Sequence, residues 1–306
     1  MKMINLGGSN LQVSSVGLGC MRMPELSTRQ AAEMIQTAAD HGVNFFDHAD
    51  IYGAGKAEEV FAAGFSETEL SREDIILQSK CGIVPGSEYN FTAEHIEKSV
   101  DGILKRLNTE YIDSLLLHRP DTLMEPEAIA RVFEKLQASG KVRNFGVSNF
   151  YPGQVDLLQQ ALDTKLLVNQ LQFGVMHTGM IDLGTNVNMV NDAGINRDGG
   201  ILEYSRLKKM TIQAWSPFQY GFFEGTFLDN PKFAELNEVL NRLAREKNST
   251  NTGIATAFIL RHPAKMQVIA GTMNPKRITE ITDATEIELT HQEWYEIYRA
   301  AGNKLP

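Results

Sequence analysis

FFDHADIYG, Phe45 to Gly53, is the stretch on which the reading of this chain turns. Its approach, from Val43, is apolar with almost no alternation, which suits a strand buried on both faces inside a parallel sheet. The run closes on Asp47, and Gly53 with its polar neighbours reads as the turn beyond. An acid is left at the end of an apolar strand, and Tyr52 is offered from the loop five residues later.

Working outward, the same pattern recurs. Short apolar strands are predicted at "SVGLG", "VNFFD", "DIILQSK", "YIDSLLLH", "VRNFGVSN", "LLVNQLQF", "TIQAWSPF" and "QVIAGT". Helical periodicity fills the intervals: Ser27 to Gly42, Lys56 to Phe65, Thr92 to Asn108, Pro126 to Gly140, Pro152 to Leu162 and Gly200 to Met210. Ser27 and Thr92 are start signals, Pro152 suits a first turn, and Gly42 and Gly140 are stops. Two helices, Pro231 to Asn248 and Asn251 to His262, precede the last strand, and Lys276 to Thr285 follows it. The strand ends fall near 19, 47, 80, 118, 147, 170, 215 and 271. The first five spacings are those of single βα units, against roughly 31 residues per unit in an eight-fold barrel. The prediction is an α/β chain forming a (β/α)8 TIM barrel as one domain over residues 1–306. A short N-terminal β-hairpin, from the alternation between Met3 and Val13 around Gly7-Gly8, comes before it. Insertions are expected at residues 177–199 and 231–247.

Composition narrows the function classes. The chain has 306 residues, 42% hydrophobic and 22% charged, with a net charge of −9, which argues against a nucleic-acid partner. No run reaches the roughly 18 apolar residues of a membrane span, and the N-terminus has no apolar signal core. The two cysteines, Cys20 and Cys81, form neither a disulfide framework nor a zinc pattern, and read as free packing thiols. A soluble, cytoplasmic protein is expected.

A barrel's chemistry gathers at the carboxyl ends of its strands. Asp47 sits at one such end, Lys80 at the next, His118 at the one after, and Tyr52 in the loop between the first two. Each alone has an ordinary structural use. Together on one rim they suit carbonyl reduction. A carbonyl that accepts hydride needs a proton, and a tyrosine can supply it when a lysine ammonium favours its phenolate. Asp47 would keep Lys80 charged, and His118 would orient the carbonyl oxygen. A metal-hydrolase reading of Asp47, His48, Asp50 and His118 is disfavoured, because neighbouring residues 47 and 48 on a strand end point to opposite faces and do not easily bind one ion. No metal is expected. The Gly-x-Gly of "VGLGCM" lacks the third glycine of a dinucleotide fingerprint.

These segments resemble the aldo-keto reductase family. "FDHADIYG", "LQSKCG" and "DSLLLHRPD" are similar to its Asp-Tyr, Lys and His segments, and "GKVRNFGVSNF", "LVNQLQF", "IQAWSPF" and "VIAGTMNPKRITEI" extend the likeness along nearly the whole chain. The resemblance implies NADPH as cofactor, in preference to NADH, and a small-molecule carbonyl substrate. It implies Asp47, Tyr52, Lys80 and His118 as the catalytic set. Ser148, Asn149 and Gln170 are implied as partners of the nicotinamide carboxamide, and Trp215 as the ring stacked on the nicotinamide. Ser216, Pro217 and Phe218 would follow the pyrophosphate, with Gly19 and Met21 on the nicotinamide ribose side. Gly271, Thr272, Asn274, Arg277 and Glu280 would hold the adenosine phosphate, Arg277 pairing a 2′-phosphate as a fork. Relatives imply a monomer or weak oligomer. Arg22 and Arg119 lie close to the rim and, if inward, favour an anionic or polar substrate. The Asn- and Gly-rich insertion 177–199 is read as a mobile loop over the pocket or cofactor.

Overall fold

The computed structural model describes residues 1–305. Its eight parallel strands, Val16–Gly19, Phe45–Asp47, Ile76–Cys81, Ile112–Leu117, Val142–Ser148, Leu166–Gln172, Thr211–Trp215 and Gln267–Ala270, close into a barrel. Every neighbouring pair runs parallel, including the pair that completes the ring. The strand ends fall within two residues of those the spacing predicts. Both faces of the wall are covered, which is why these strands read as near-continuous apolar runs.

The surrounding helices follow their sequence signals. Ala93–Leu107 buries Ile96, Val100, Ile103, Leu104 and Leu107, one stripe at helical spacing. The Thr92 side chain caps it, accepting from the His95 amide at 3.3 Å, and Asn108 ends it in the left-handed conformation.

The N-terminal hairpin pairs Met3–Asn5 with Gln12–Ser14. It inserts Leu6 and Val13 among Phe45, Leu116, Leu167, Val168 and Ile269, an apolar cluster that closes the floor of the barrel. Burying each such side chain contributes about 1.5–3 kcal/mol. Gly7 is required there. Its φ is +57°, a Cβ would lie 2.6 Å from the Leu167 backbone, and its amide donates to Thr211 Oγ1 at 2.8 Å.

Three features depart from the expectation. Hairpins Ile83–Val84/Glu88–Tyr89 and Gln219–Tyr220/Gly225–Thr226 have strands of two residues, too short to carry a period. A further helix, His291–Ala300, follows a Thr290/Glu293 capping box and buries Trp294, Ile297 and Tyr298. The insertion 177–199, expected over the pocket or cofactor, contributes no residue to the cavity at the strand ends. It contains a helix, Gly179–Thr185, whose Asp182 accepts from Tyr298 Oη at 2.7 Å, so it is tied to the C-terminal helix. No helix among the described residues is long and apolar enough to cross a membrane.

Candidate active site

The carboxyl ends of three successive strands and the loop after Asp47 bring the four predicted residues together. Lys80 Nζ is wholly buried and donates to Asp47 Oδ2 at 2.8 Å, to the His48 carbonyl at 2.8 Å and to Tyr52 Oη at 3.1 Å. The three bonds use all its protons and aim the ammonium at the phenol. The second Asp47 oxygen accepts from Gln78 Nε2 at 2.7 Å and Gln170 Nε2 at 3.0 Å. The His118 ring meets Tyr52 edge-on, with centroids 6.0 Å apart. The strand pleat separates Asp47 from His48. Asp47 joins the interior network, while His48 packs edge-on against Phe61 of a covering helix.

Burial decides the protonation states. It pulls the Lys80 ammonium down, but Asp47 and then Tyr52 outweigh it, so Lys80 ends above its ordinary value and stays charged. Burial raises the Tyr52 phenol above 10, and the opposing pull of Lys80 does not cancel this. The lowered phenol expected from sequence is therefore absent in the free protein, and Tyr52 carries its proton at neutral pH. Burial, helped by Lys80 and Arg119, holds His118 well below the usual imidazole range, so its ring is neutral. Behind the loop, burial and then Glu58 raise Asp50 to about 7. Glu58 itself accepts from Arg106 at 2.7 Å and from Ser79 at 2.7 Å. Cys20 and Cys81 are buried free thiols held neutral by burial.

The cavity over these groups measures about 660 Å³. Gly19, Met21, Ser148, Asn149, Gln170, Trp215, Ser216, Pro217, Phe218, Gly271, Thr272 and Arg277 line it with Asp47, Tyr52 and His118. Lys80 lies beneath the lining. Asn274 and Glu280 stand outside it, and Asn274 caps the helix Pro275–Asp283 by accepting from the Lys276 amide at 3.0 Å. Arg22 and Arg119 both line the cavity, and neither forms an ion pair among the described residues.

The upper wall is internally braced. Ser148 Oγ donates to the Gln170 carbonyl at 3.0 Å, Asn149 Nδ2 donates to Ser148 Oγ at 2.7 Å, and Trp215 Nε1 donates to Asn149 Oδ1 at 3.3 Å. Asn149 and Ser216 hold left-handed backbones, φ +61° and +49°, a strain typical of binding sites. Sequence reasoning missed Ile83 and the Phe222-Phe223 pair, which the two short hairpins bring to the cavity. Phe223 stacks on Trp215 at 6.1 Å. Their signal was "GFFEG", an aromatic pair between turn glycines.

The wall fits a phosphorylated dinucleotide. Arg277 sits in the first turn of the helix Pro275–Asp283, where backbone amides and the helix dipole also favour an anion, and it has no acidic partner among the described residues. The Gln170 side-chain oxygen, Oε1, receives no hydrogen bond from the described residues, and Trp215 offers a flat face.

Comparison with known proteins agrees with this geometry. The model of the Aldo/keto reductase family matches residues 15–301. A 6-dehydroglucose reductase of Agrobacterium fabrum is 33% identical over 307 residues, covering 96% of each chain. The uncharacterized oxidoreductase YcsN of Bacillus subtilis is 34% identical over 311 residues, covering 97% of each. The fold matches that of an aldo-keto reductase from Klebsiella pneumoniae solved in complex with NADPH, with a TM-score of 0.77 at 23% identity, covering 97% of this chain and 94% of that one.

Proposed function

This chain belongs to the aldo/keto reductase family, and from that premise we propose that it reduces small aldehydes or ketones with NADPH, reversibly, with Tyr52 as the proton donor. The observation that carries the reading is the 3.1 Å contact between Lys80 Nζ and Tyr52 Oη, at the floor of a cavity that His118 also lines.

When bound, the nicotinamide supplies the hydride. The chain does the rest. Tyr52, protonated at neutral pH, gives its proton to the carbonyl oxygen as charge develops there. The phenolate left behind is stabilised by Lys80, whose own charge Asp47 secures. Neutral His118 donates a second hydrogen bond to the same oxygen and fixes its direction. Ser148, Asn149 and Gln170 would hold the carboxamide, and Trp215 would lie against the ring. Ser216, Pro217 and Phe218 would follow the pyrophosphate, and Arg277 would pair the 2′-phosphate. Arg119, next to His118 and without an acidic partner, favours a substrate bearing further polar or anionic groups.

The test is Tyr52→Phe, which removes one oxygen from the site. Turnover of 4-nitrobenzaldehyde should fall by about 10²–10⁴-fold, the usual worth of a positioned proton donor, with NADPH affinity nearly unchanged. Retained turnover removes Tyr52 from the role.

A further inference from the structure

Four glutamines, Gln78, Gln170, Gln213 and Gln267, point into the barrel interior, each at most 3% exposed. Interiors of such barrels are ordinarily filled by branched apolar side chains. Here the amides join into one chain of hydrogen bonds. Gln267 Nε2 donates to the Ser14 carbonyl at 2.7 Å, at the end of the N-terminal hairpin. Gln213 Nε2 donates to Gln267 Oε1 at 2.8 Å. Gln213 Oε1 then accepts from both Gln78 Nε2 at 2.8 Å and Gln170 Nε2 at 3.1 Å. Those two amides carry their second N–H to the same Asp47 oxygen. The register explains the placement: Gln170 pairs with Gln213, Gln213 with Gln267, and Asp47 with Gln78 on neighbouring strands.

The chain has a direction. A backbone carbonyl can only accept, so Ser14 requires the NH2 side of Gln267. That leaves Gln267 Oε1 for Gln213, which in turn leaves Gln213 Oε1 for the NH2 groups of Gln78 and Gln170. Amide orientation is set by such networks, and this one is anchored at a group that cannot be reversed. An ionised carboxylate is likewise acceptor-only, so both ends of the chain demand the same polarity. The orientation also leaves Gln170 Oε1, a cavity-lining acceptor, without a partner in the chain.

We infer that Gln213, with Gln78 and Gln267, is a positioning residue for the proton-donating group: the amide chain, polarised from the Ser14 carbonyl, fixes Asp47 and through it the aim of Lys80 at Tyr52. The inference rests on the reading of Asp47, Lys80 and Tyr52 as that group. None of these three glutamines lines the cavity, so each acts only through others.

The test compares Gln213→Leu with Gln213→Glu. A glutamate enclosed in the barrel is driven to its neutral acid, which accepts through one oxygen and donates through the other, as the amide does. Leucine does neither. Gln213→Leu should lower kcat for 4-nitrobenzaldehyde reduction by about ten-fold or more, with a much smaller change in the aldehyde KM, and Gln213→Glu should restore it. In the free protein, the side-chain NH2 signals of Gln78 and Gln170 in 15N NMR should move in Gln213→Leu and return in Gln213→Glu. If Gln213→Leu does not fold, Gln267→Met, which removes the link to the Ser14 carbonyl, is read by the same two measurements. Wild-type kcat in the folded leucine variant, or equal losses in both variants, overturns the inference. Wild-type protein that turns over no carbonyl overturns the reductase reading and the catalytic part of the inference with it. The amide signals, read without cofactor or substrate, identify that case.

Discussion

His48 and His118 each follow the end of a barrel strand and are both kept neutral, to different effect. His118 faces the cavity, where a neutral ring can donate a hydrogen bond without adding charge beside Lys80. His48 faces a covering helix, and both its ring nitrogens are buried without partners. Burial, then Lys80, lowers its pKa from 6.5 to about 3. A group whose folded pKa is lowered contributes stability that is fully present above the unfolded value and lost as pH falls toward the folded one. Asp50, raised to about 7, acts in the opposite sense over the overlapping range, so the wild-type curve alone does not isolate His48. The difference between variant and wild type does. His48→Leu should gain about 2 kcal/mol relative to wild type between pH 6.5 and 4.5, read from urea midpoints at the two pH values. A parallel pair of curves would mean that His48 is not held neutral. At this scale the four rim residues were legible, because each closes a strand or follows one. The direction of the Tyr52 shift was not, since it depends on how completely the ring is buried. The glutamines stand in "LQSK", "NQLQF", "IQAW" and "MQVIA", and Gln170 alone is singled out there, as a cofactor contact; the network is not legible, for its bonds are made between strands far apart in sequence.

Most elements with a period are legible in the sequence, and the two-residue strands without one are not. Eight strands and the helices between them announce themselves through apolar runs, caps and stops. The hairpin Gln219–Tyr220/Gly225–Thr226 has no such pattern, yet it brings Phe222 and Phe223 to the cavity beside Trp215. The insertion 177–199 is polar, which suggests a loop over the pocket or cofactor, but polarity does not reveal what a segment packs on, and none of its residues lines the cavity. Its partner, the helix His291–Ala300, was itself unassigned despite the Thr-x-x-Glu signature at Thr290. That helix is part of the core. Trp294 stacks on Phe258 with centroids 4.6 Å apart and donates to the Phe258 carbonyl at 2.9 Å. Trp294→Ala should cost about 3–5 kcal/mol of unfolding free energy, the range for large aromatic truncations, measured by denaturant titration. A loss within experimental error would show that the C-terminal helix is dispensable for the barrel.

Over the whole molecule, charge is distributed against the average. The chain carries −9, but its cavity presents Arg22, Arg119 and Arg277, and its one carboxylate, Asp47, is paired with Lys80. Such a cleft in an acidic protein concentrates an anionic ligand at the strand ends and repels it elsewhere. Arg277→Ala should weaken NADPH by about ten-fold, the worth of one charge-assisted bond near the surface, and NADH far less. Equal weakening of the two, by fluorescence titration, would remove the 2′-phosphate assignment. The closed barrel is legible as a whole because six strand ends recur at βα spacing and two more follow after insertions, whereas a link from the hairpin through the interior to Asp47 has no linear trace. The most direct measurement is a single turnover: the protein loaded with one equivalent of NADPH is mixed with excess 4-nitrobenzaldehyde, and the absorbance of the reduced nicotinamide is followed beside the alcohol formed. Stoichiometric loss of absorbance with one alcohol per protein is expected, and neither within the wild type's reaction time in Tyr52→Phe loaded to the same degree. NADPH bound tightly and left unconsumed by the wild type would contradict it.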